Sequence, residues 1–217
     1  MIDFHAARTA MVDSQVRPSD VTQYPIIEAM LATPREEFVP GAQKDIAYVG
    51  EHLPFDEGRV LLDPRVFSKM LSELQVTPSD LVLDIGSGYG YSSAVLARLS
   101  AAVVAVESDA QAAREAAASL DAQEITTVIL HTGPLEGGAP EHGPYDAVMF
   151  QGAIAHMPDS LADQIRDGGR AIAIFQDDAL GQVRFGRKIG GALVWNTMFD
   201  ATAPILPGFE AKAEFRF

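Results

Sequence analysis

Apolar residues run almost without break from Leu81 to Ile85 and again from Val103 to Val106. Runs this short and rich in branched side chains predict buried strands rather than helices. Between them Tyr91, Ala94, Val95 and Leu99 fall at helical spacing, so the local order is strand, helix, strand. The same alternation continues. Asp109 caps an alanine-rich helix reaching about Leu120, and Thr126 to Leu130 predicts a third strand. Asp146 to Phe150 predicts a fourth, and Pro158 to Arg166 a helix closed by Gly168 and Gly169. Arg170 to Phe175 is a fifth strand, and Gln182 to Ile189 with Leu193 to Phe199 reads as a hairpin about Gly190 and Gly191. From Phe209 to Phe217 apolar and polar positions alternate, which predicts a last, half-buried strand. Strands alternating with helices and ending in a hairpin make an α/β fold: a mixed, mostly parallel sheet with helices on both faces.

Upstream of this core the pattern is looser. Val21, Ile26, Ile27, Met30 and Leu31 predict a helix over Val21 to Ala32, after a Pro18-Ser19-Asp20 start signal. Periodicity then disappears from Gly41 to Asp63, where Gly50, Pro54 and Gly58 interrupt the chain. A loop of that length in a compact domain is usually functional or disordered, and it is expected to be a partly ordered segment covering the site. Asp63 followed by Pro64 is a strong helix start, with Val66, Phe67, Met70, Leu71 and Leu74 on one face. The chain therefore reads as a single domain over 1–217. Its residues 1–76 form an N-terminal helical and loop extension over the site, and 77–217 the α/β core.

Composition narrows the partners. Thirty acidic against sixteen basic residues give a formal charge of -14, which argues against DNA or RNA, whose affinity rests largely on lysine and arginine. There is no cysteine, so thiolate chemistry, Cys-ligated zinc and disulfides are excluded, and a cytoplasmic location is expected. Met1 to Arg8 lacks the basic start and apolar core of a leader, and no apolar run is long enough to span a membrane. The five histidines show no metal-ligand spacing, and no metal is expected.

The candidate chemistry lies where the first core strand ends. Asp84 is followed by Gly86, Ser87, Gly88, Tyr89 and Gly90, and the next strand closes on Glu107. Glycine there lets a ligand lie against main-chain N–H groups at a helix N-terminus, and an acid at the tip of the neighbouring strand is placed to accept ribose hydroxyls. Both features point to a nucleoside-containing cofactor. A dinucleotide fingerprint needs glycine three residues after Gly88, where Tyr91 stands instead. The arrangement resembles motif I of the S-adenosylmethionine-dependent methyltransferases, and a carboxylate at Asp84 suits a cofactor bearing a cation better than a pyrophosphate.

A wider set of blocks resembles one family, the protein-L-isoaspartate O-methyltransferases. They run in order from Thr33-Pro-Arg-Glu-Glu-Phe-Val-Pro40 through Ala47-Tyr48, Leu53-Pro54, Pro64, the glycine turn and Val104 to Glu107, to Pro144-Tyr-Asp146 and Asp167-Gly-Gly-Arg170. The resemblance implies a Rossmann-like methyltransferase fold with seven strands, S-adenosyl-L-methionine as methyl donor, and an isoaspartyl-containing protein or peptide as substrate. It places the methionine part of the cofactor on Gly86 to Gly90 and the ribose on Glu107.

The family's G-Q-T-I-S-x-P segment is here Gly58-Arg-Val-Leu-Leu-Asp-Pro64. Val60 and Leu62 thus stand at the two hydroxyl positions, and Arg59 at the glutamine. The family's Gly-Asp-Gly after the third strand is His131-Thr-Gly133. No catalytic base is evident, and a carboxylate acceptor needs little from one, being already ionised near neutrality. Arg59 and His156 are the candidates at the acceptor end, each balanced against an ordinary surface role. Two other readings stay open: a methyltransferase with a different acceptor, small molecule or RNA, and a cofactor-binding interaction protein without turnover.

Overall fold

The computed structural model describes residues 2–55, 58–177 and 180–211. In chain order its elements are α1 (Phe4–Met11), α2 (Tyr24–Ala32), β1 (Leu53–Pro54), β2 (Val60–Leu61), α3 (Pro64–Leu74), β3 (Leu81–Ile85), α4 (Tyr91–Ala97), β4 (Ala102–Glu107) and α5 (Ala110–Ala122). There follow β5 (Val128–Thr132), β6 (Tyr145–Ile154), α6 (Asp159–Ala162), β7 (Ile165–Asp177), β8 (Leu180–Ile189) and β9 (Ala192–Asp200). Seven strands form one sheet in the order β5-β4-β3-β6-β7-β8-β9. β3 to β7 run parallel, while β8 is antiparallel to both its neighbours, giving the expected C-terminal hairpin.

The sheet starts at β3, grows outward to β5, and returns to the other side of β3 at β6. Where strand order reverses, the connections leave in opposite directions, and a crevice opens beyond the carboxyl ends of β3 and β6. The pleat sends alternate side chains to two cores. Val82, Val103, Met149 and Ile172 face one, and Leu83, Val104, Val148 and Ala171 the other. The N-terminal segment packs on the first through Val12, Val16, Ile27, Met30 and Phe38, against Phe67, Met70 and Leu71 of α3. Each such side chain contributes roughly 1.5 to 3 kcal/mol by leaving water, which holds this extension onto the sheet.

Several elements differ from the sequence reading. The pattern did not announce α1, which is short and begins at Asp3, whose carboxylate accepts the Ala6 N–H at 3.0 Å. α2 starts at Tyr24 rather than Val21, with Pro25 in its first turn. The third core strand is shifted to Val128–Thr132. The expected helix over Pro158 to Arg166 is a single turn, because Ile165 already lies in the sheet opposite Tyr145, and Gly168 and Gly169 fall inside β7. Gly190 and Gly191, with φ of 58° and 88°, form the two-residue loop such a hairpin favours. The predicted strand at Phe209 to Phe217 lies outside the described residues from Lys212 on, and its described part is not a strand.

Two segments cross the crevice. The aperiodic stretch from Gly41 to Asp63 contains a 3-10 turn over Gly41–Ile46 and the small antiparallel β1–β2 pair. From the far end, residues 203–209 run back along the extension of β6. There the Ala153 N–H donates to Pro204 O at 2.9 Å, Leu206 N–H to Ala153 O at 2.8 Å, and Ala155 N–H to Phe209 O at 2.9 Å. Phe209 is anchored edge-on to Phe150, ring centroids 5.5 Å apart. No helix among the described residues is long and apolar enough to cross a membrane.

Candidate functional site

β3 stops at Ile85 because the next residues take a conformation that strands cannot. Gly86, Gly88 and Gly90 all have positive φ, at 79°, 55° and 89°. The turn is pinned to the neighbouring strand: Gly86 N–H donates to Val106 O at 2.9 Å, and Gly90 N–H closes on Ser87 O at 2.9 Å. Glu107, at the tip of β4, is fully buried and accepts the Gly88 N–H at 2.6 Å and the Asp109 N–H at 2.9 Å. The strand-tip acid and the glycine turn are thus one hydrogen-bonded unit.

Asp84 lies in β3, just ahead of the turn. It is completely buried, and its carboxylate accepts from Ser92 Oγ and Ser93 Oγ at 2.6 Å each and from Gln151 Nε2 at 2.7 Å. Burial pushes this carboxyl above the usual range, and the three donors act against that. Its hydrogen bonds tie α4 and β6 to β3, so it shapes the turn from beneath. Sequence reasoning missed Ser92, Ser93 and Gln151. The two serines carried a faint signal, as hydroxyls in the first turn of the helix after the acid. Gln151 carried none, since only the strand order brings β6 beside β3.

The outer side of the turn is covered by the chain's own side chains. Arg59, 8% exposed, reaches from beside β2 to Glu107 and engages both carboxylate oxygens. One contact is Nη1 to Oε1, the other Nη2 to Oε2 at 2.8 Å, and Nη2 also donates to Gly86 O at 2.9 Å. Phe55 packs on Gly88, where an added Cβ would lie 2.6 Å from the ring, and edge-on to Tyr89 at 5.0 Å between centroids. Leu206 stands 3.1 Å from where a Cβ on Gly86 would be. Beside this cover a cavity of about 670 Å³ opens, lined by Phe55, Arg59, Tyr89, Ser108, Asp109 and Pro207, among others.

The comparisons with known proteins agree with this architecture. The family model described as protein-L-isoaspartate(D-aspartate) O-methyltransferase (PCMT) matches residues 6–200. The chain belongs to that family. It is 35% identical over 171 residues to the protein-L-isoaspartate O-methyltransferase of Roseiflexus castenholzii, covering 79% of this chain and 78% of the relative. To that of Maricaulis maris it is 33% identical over 200 residues, 91% and 93% of the two chains. In fold it is similar, with a TM-score of 0.79 and 16% identity, to a structure described as a beta-aspartate methyltransferase (PCMT) from Plasmodium falciparum in complex with S-adenosyl-L-homocysteine. That likeness covers 95% of this chain and 99% of the other.

Within this PCMT chain the remaining sequence candidates separate. Leu62 is 1% exposed and packs in the core, and Val60 packs partly against the same cluster. His156, following β6, is half-buried and does not line the cavity beside the turn. His131 pairs with Glu141 at 3.0 Å, so an acid does stand near the altered Gly-Asp-Gly position, borrowed from a later loop. The matching region ends at residue 200. Leu206, which lies over Gly86, and Pro207, which lines the cavity, belong to the chain beyond it.

Proposed function

We propose that this protein is an S-adenosyl-L-methionine-dependent methyltransferase acting on a carboxylate, with isoaspartyl residues of damaged proteins as its substrate class. The observation that carries this is the bond from the Gly88 N–H to Glu107 in a chain of the PCMT family. It joins a glycine-lined main-chain surface to an acid suited to ribose hydroxyls, at the crevice where the strand order reverses.

The donor set fits the cofactor in kind. Ser87 Oγ is buried at the turn without a protein hydrogen-bond partner, Glu107 carries two carboxylate oxygens that Arg59 holds in this structure, and the cavity reaches Ser108 and Asp109 beyond it. Gly86 to Gly90 and Glu107 would hold the group, Tyr89 would wall the cavity, and Asp84 would act through Ser92, Ser93 and Gln151. When bound, the cofactor supplies an electrophilic methyl group on a sulfonium. The chain's contribution is alignment and exclusion of water by the flanking apolar groups, because a carboxylate acceptor is ionised at neutral pH and needs no proton removed. The net charge of -14 and the absence of cysteine support a protein rather than nucleic acid acceptor and a reducing, cytoplasmic setting.

The test is methyl transfer to an isoaspartyl peptide and to its aspartyl isomer, with radiolabelled donor. Transfer to the isoaspartyl form alone is the expected result. Transfer to neither, with cofactor binding intact, would end the substrate assignment. It would favour the second reading, a changed acceptor, which the aliphatic residues Val60 and Leu62 motivate.

A further inference from the structure

The acid that is to receive a ribose already has a partner. Arg59 grips Glu107 with two nitrogens and adds a third contact, to Gly86 O at 2.9 Å. A bidentate guanidinium supplies two parallel N–H donors to one carboxylate, which is the pattern a vicinal diol supplies with two O–H donors. Both need the same two oxygens, and Glu107 is fully buried with its remaining capacity taken by Gly88 and Asp109 N–H groups. Arg59 is not fully satisfied in this position: its Nε is buried without a hydrogen-bond partner. Phe55 adds to the obstruction, lying over Gly88 so closely that no Cβ fits between them. Main chain that glycine leaves open for a ligand is here met by Phe55, Arg59 and Leu206.

We propose that Arg59, with Phe55 beside it, is a built-in competitor for the ribose end of the cofactor site. In the free protein Arg59 neutralises Glu107. A ligand carrying a cis-diol binds only as the guanidinium withdraws, so affinity is set by the difference between the two partners of one carboxylate. The proposal rests on the cofactor reading given above. It also gives a physical role to an arginine standing where the resemblance places a glutamine, since a neutral amide has no charge to hold it on Glu107. Withdrawal breaks charge-assisted bonds in a buried site, so it lowers affinity markedly.

The experiment is calorimetric titration of S-adenosyl-L-homocysteine into the full chain and into Arg59→Gln, Arg59→Lys and Phe55→Ala, with the melting temperature of each protein measured without ligand. Arg59→Gln leaves a buried carboxylate short of its partner, so its melting temperature falls while it binds about tenfold tighter or more. Arg59→Lys lies between, and Phe55→Ala tightens binding severalfold. The opposite signs of the two shifts separate competition from a purely structural ion pair, whose loss would lower both. Adenosine must share the gain in Arg59→Gln and 2′,3′-dideoxyadenosine must not, because only the diol contests Glu107. Equal or weaker binding in Arg59→Gln, with a binding wild type, overturns the proposal and leaves the cofactor reading standing. If Arg59→Gln fails to fold, unchanged affinity in both Arg59→Lys and Phe55→Ala overturns it equally. Absence of binding in every protein removes the cofactor reading and the competitor with it.

Discussion

Arg35 stands over Tyr91, its guanidinium carbon 4.7 Å from the ring centroid, with both side chains closed off from solvent. Its Nε donates to Ala47 O at 2.7 Å and its Nη2 to Leu62 O at 2.8 Å. One buried cation thus ties the 33–40 block to α4 and to both ends of the segment that carries Arg59. Burial lowers the arginine's pKa, and the Tyr91 hydroxyl acts against that. Lysine lacks the planar fork and would leave at least one carbonyl unpaired, so Arg35→Lys is expected to destabilise the fold by about 2 to 4 kcal/mol. Urea denaturation measures it, and a change within about 0.5 kcal/mol would show that Arg35 is not the tie described.

Asp84 makes stability depend on pH in a stated direction. Its folded pKa is raised, so its contribution is fully present below the unfolded pKa and is lost as pH rises through the folded value. Ser92 and Ser93 limit that loss by favouring the ionised form. Ser92→Ala and Ser93→Ala should each cost about 1.5 to 3 kcal/mol where Asp84 is charged, and less where it is protonated. Denaturation at about pH 5 and about pH 8 tests this, with the larger effect expected at the higher pH. A deficit that shrinks as pH rises would contradict the assignment.

Gly88→Val tests the turn. At φ 55° a branched side chain is strained, and its Cβ would lie 2.6 Å from the Phe55 ring. A stability loss of about 2 kcal/mol or more is expected, together with loss of S-adenosyl-L-homocysteine binding. Adding Phe55→Ala should restore part of the stability and none of the binding. Unchanged ligand affinity in the single variant would place the cofactor elsewhere.

Val60 and Leu62 stand at the family's hydroxyl positions but in different surroundings. Leu62 is a core side chain at 1% exposure, so Leu62→Ser should cost about 2 to 4 kcal/mol through cavity and buried hydroxyl. Val60 is only partly buried, and Val60→Thr is nearly isosteric, so it is the cleaner probe of substrate contact. A rise in kcat/KM of about tenfold or more on the isoaspartyl peptide, at unchanged melting temperature, is the expected outcome for Val60→Thr. No gain would mean that the acceptor does not meet position 60.

The hydrophobic periods were enough to read the parallel core, the hairpin and the glycine turn, because these depend on residues a few positions apart. Main-chain conformation at Gly86, Gly88 and Gly90, the buried runs at β3 and β4, and Glu107 at the strand tip are all local facts. The length of α6 was not legible, because pairing of Ile165 with Tyr145 overrode a helical pattern. The partners of the site residues were not legible either. Arg59 meets Glu107, Gln151 meets Asp84, and Leu206 covers Gly86 only because the strand order folds distant segments onto one crevice. A charge at position 59 is visible in the sequence. Whether it faces solvent, an acceptor or the strand-tip acid is decided by the packing of β1 and β2 over the sheet, since a side chain's partner is fixed by what surrounds it and not by its own identity.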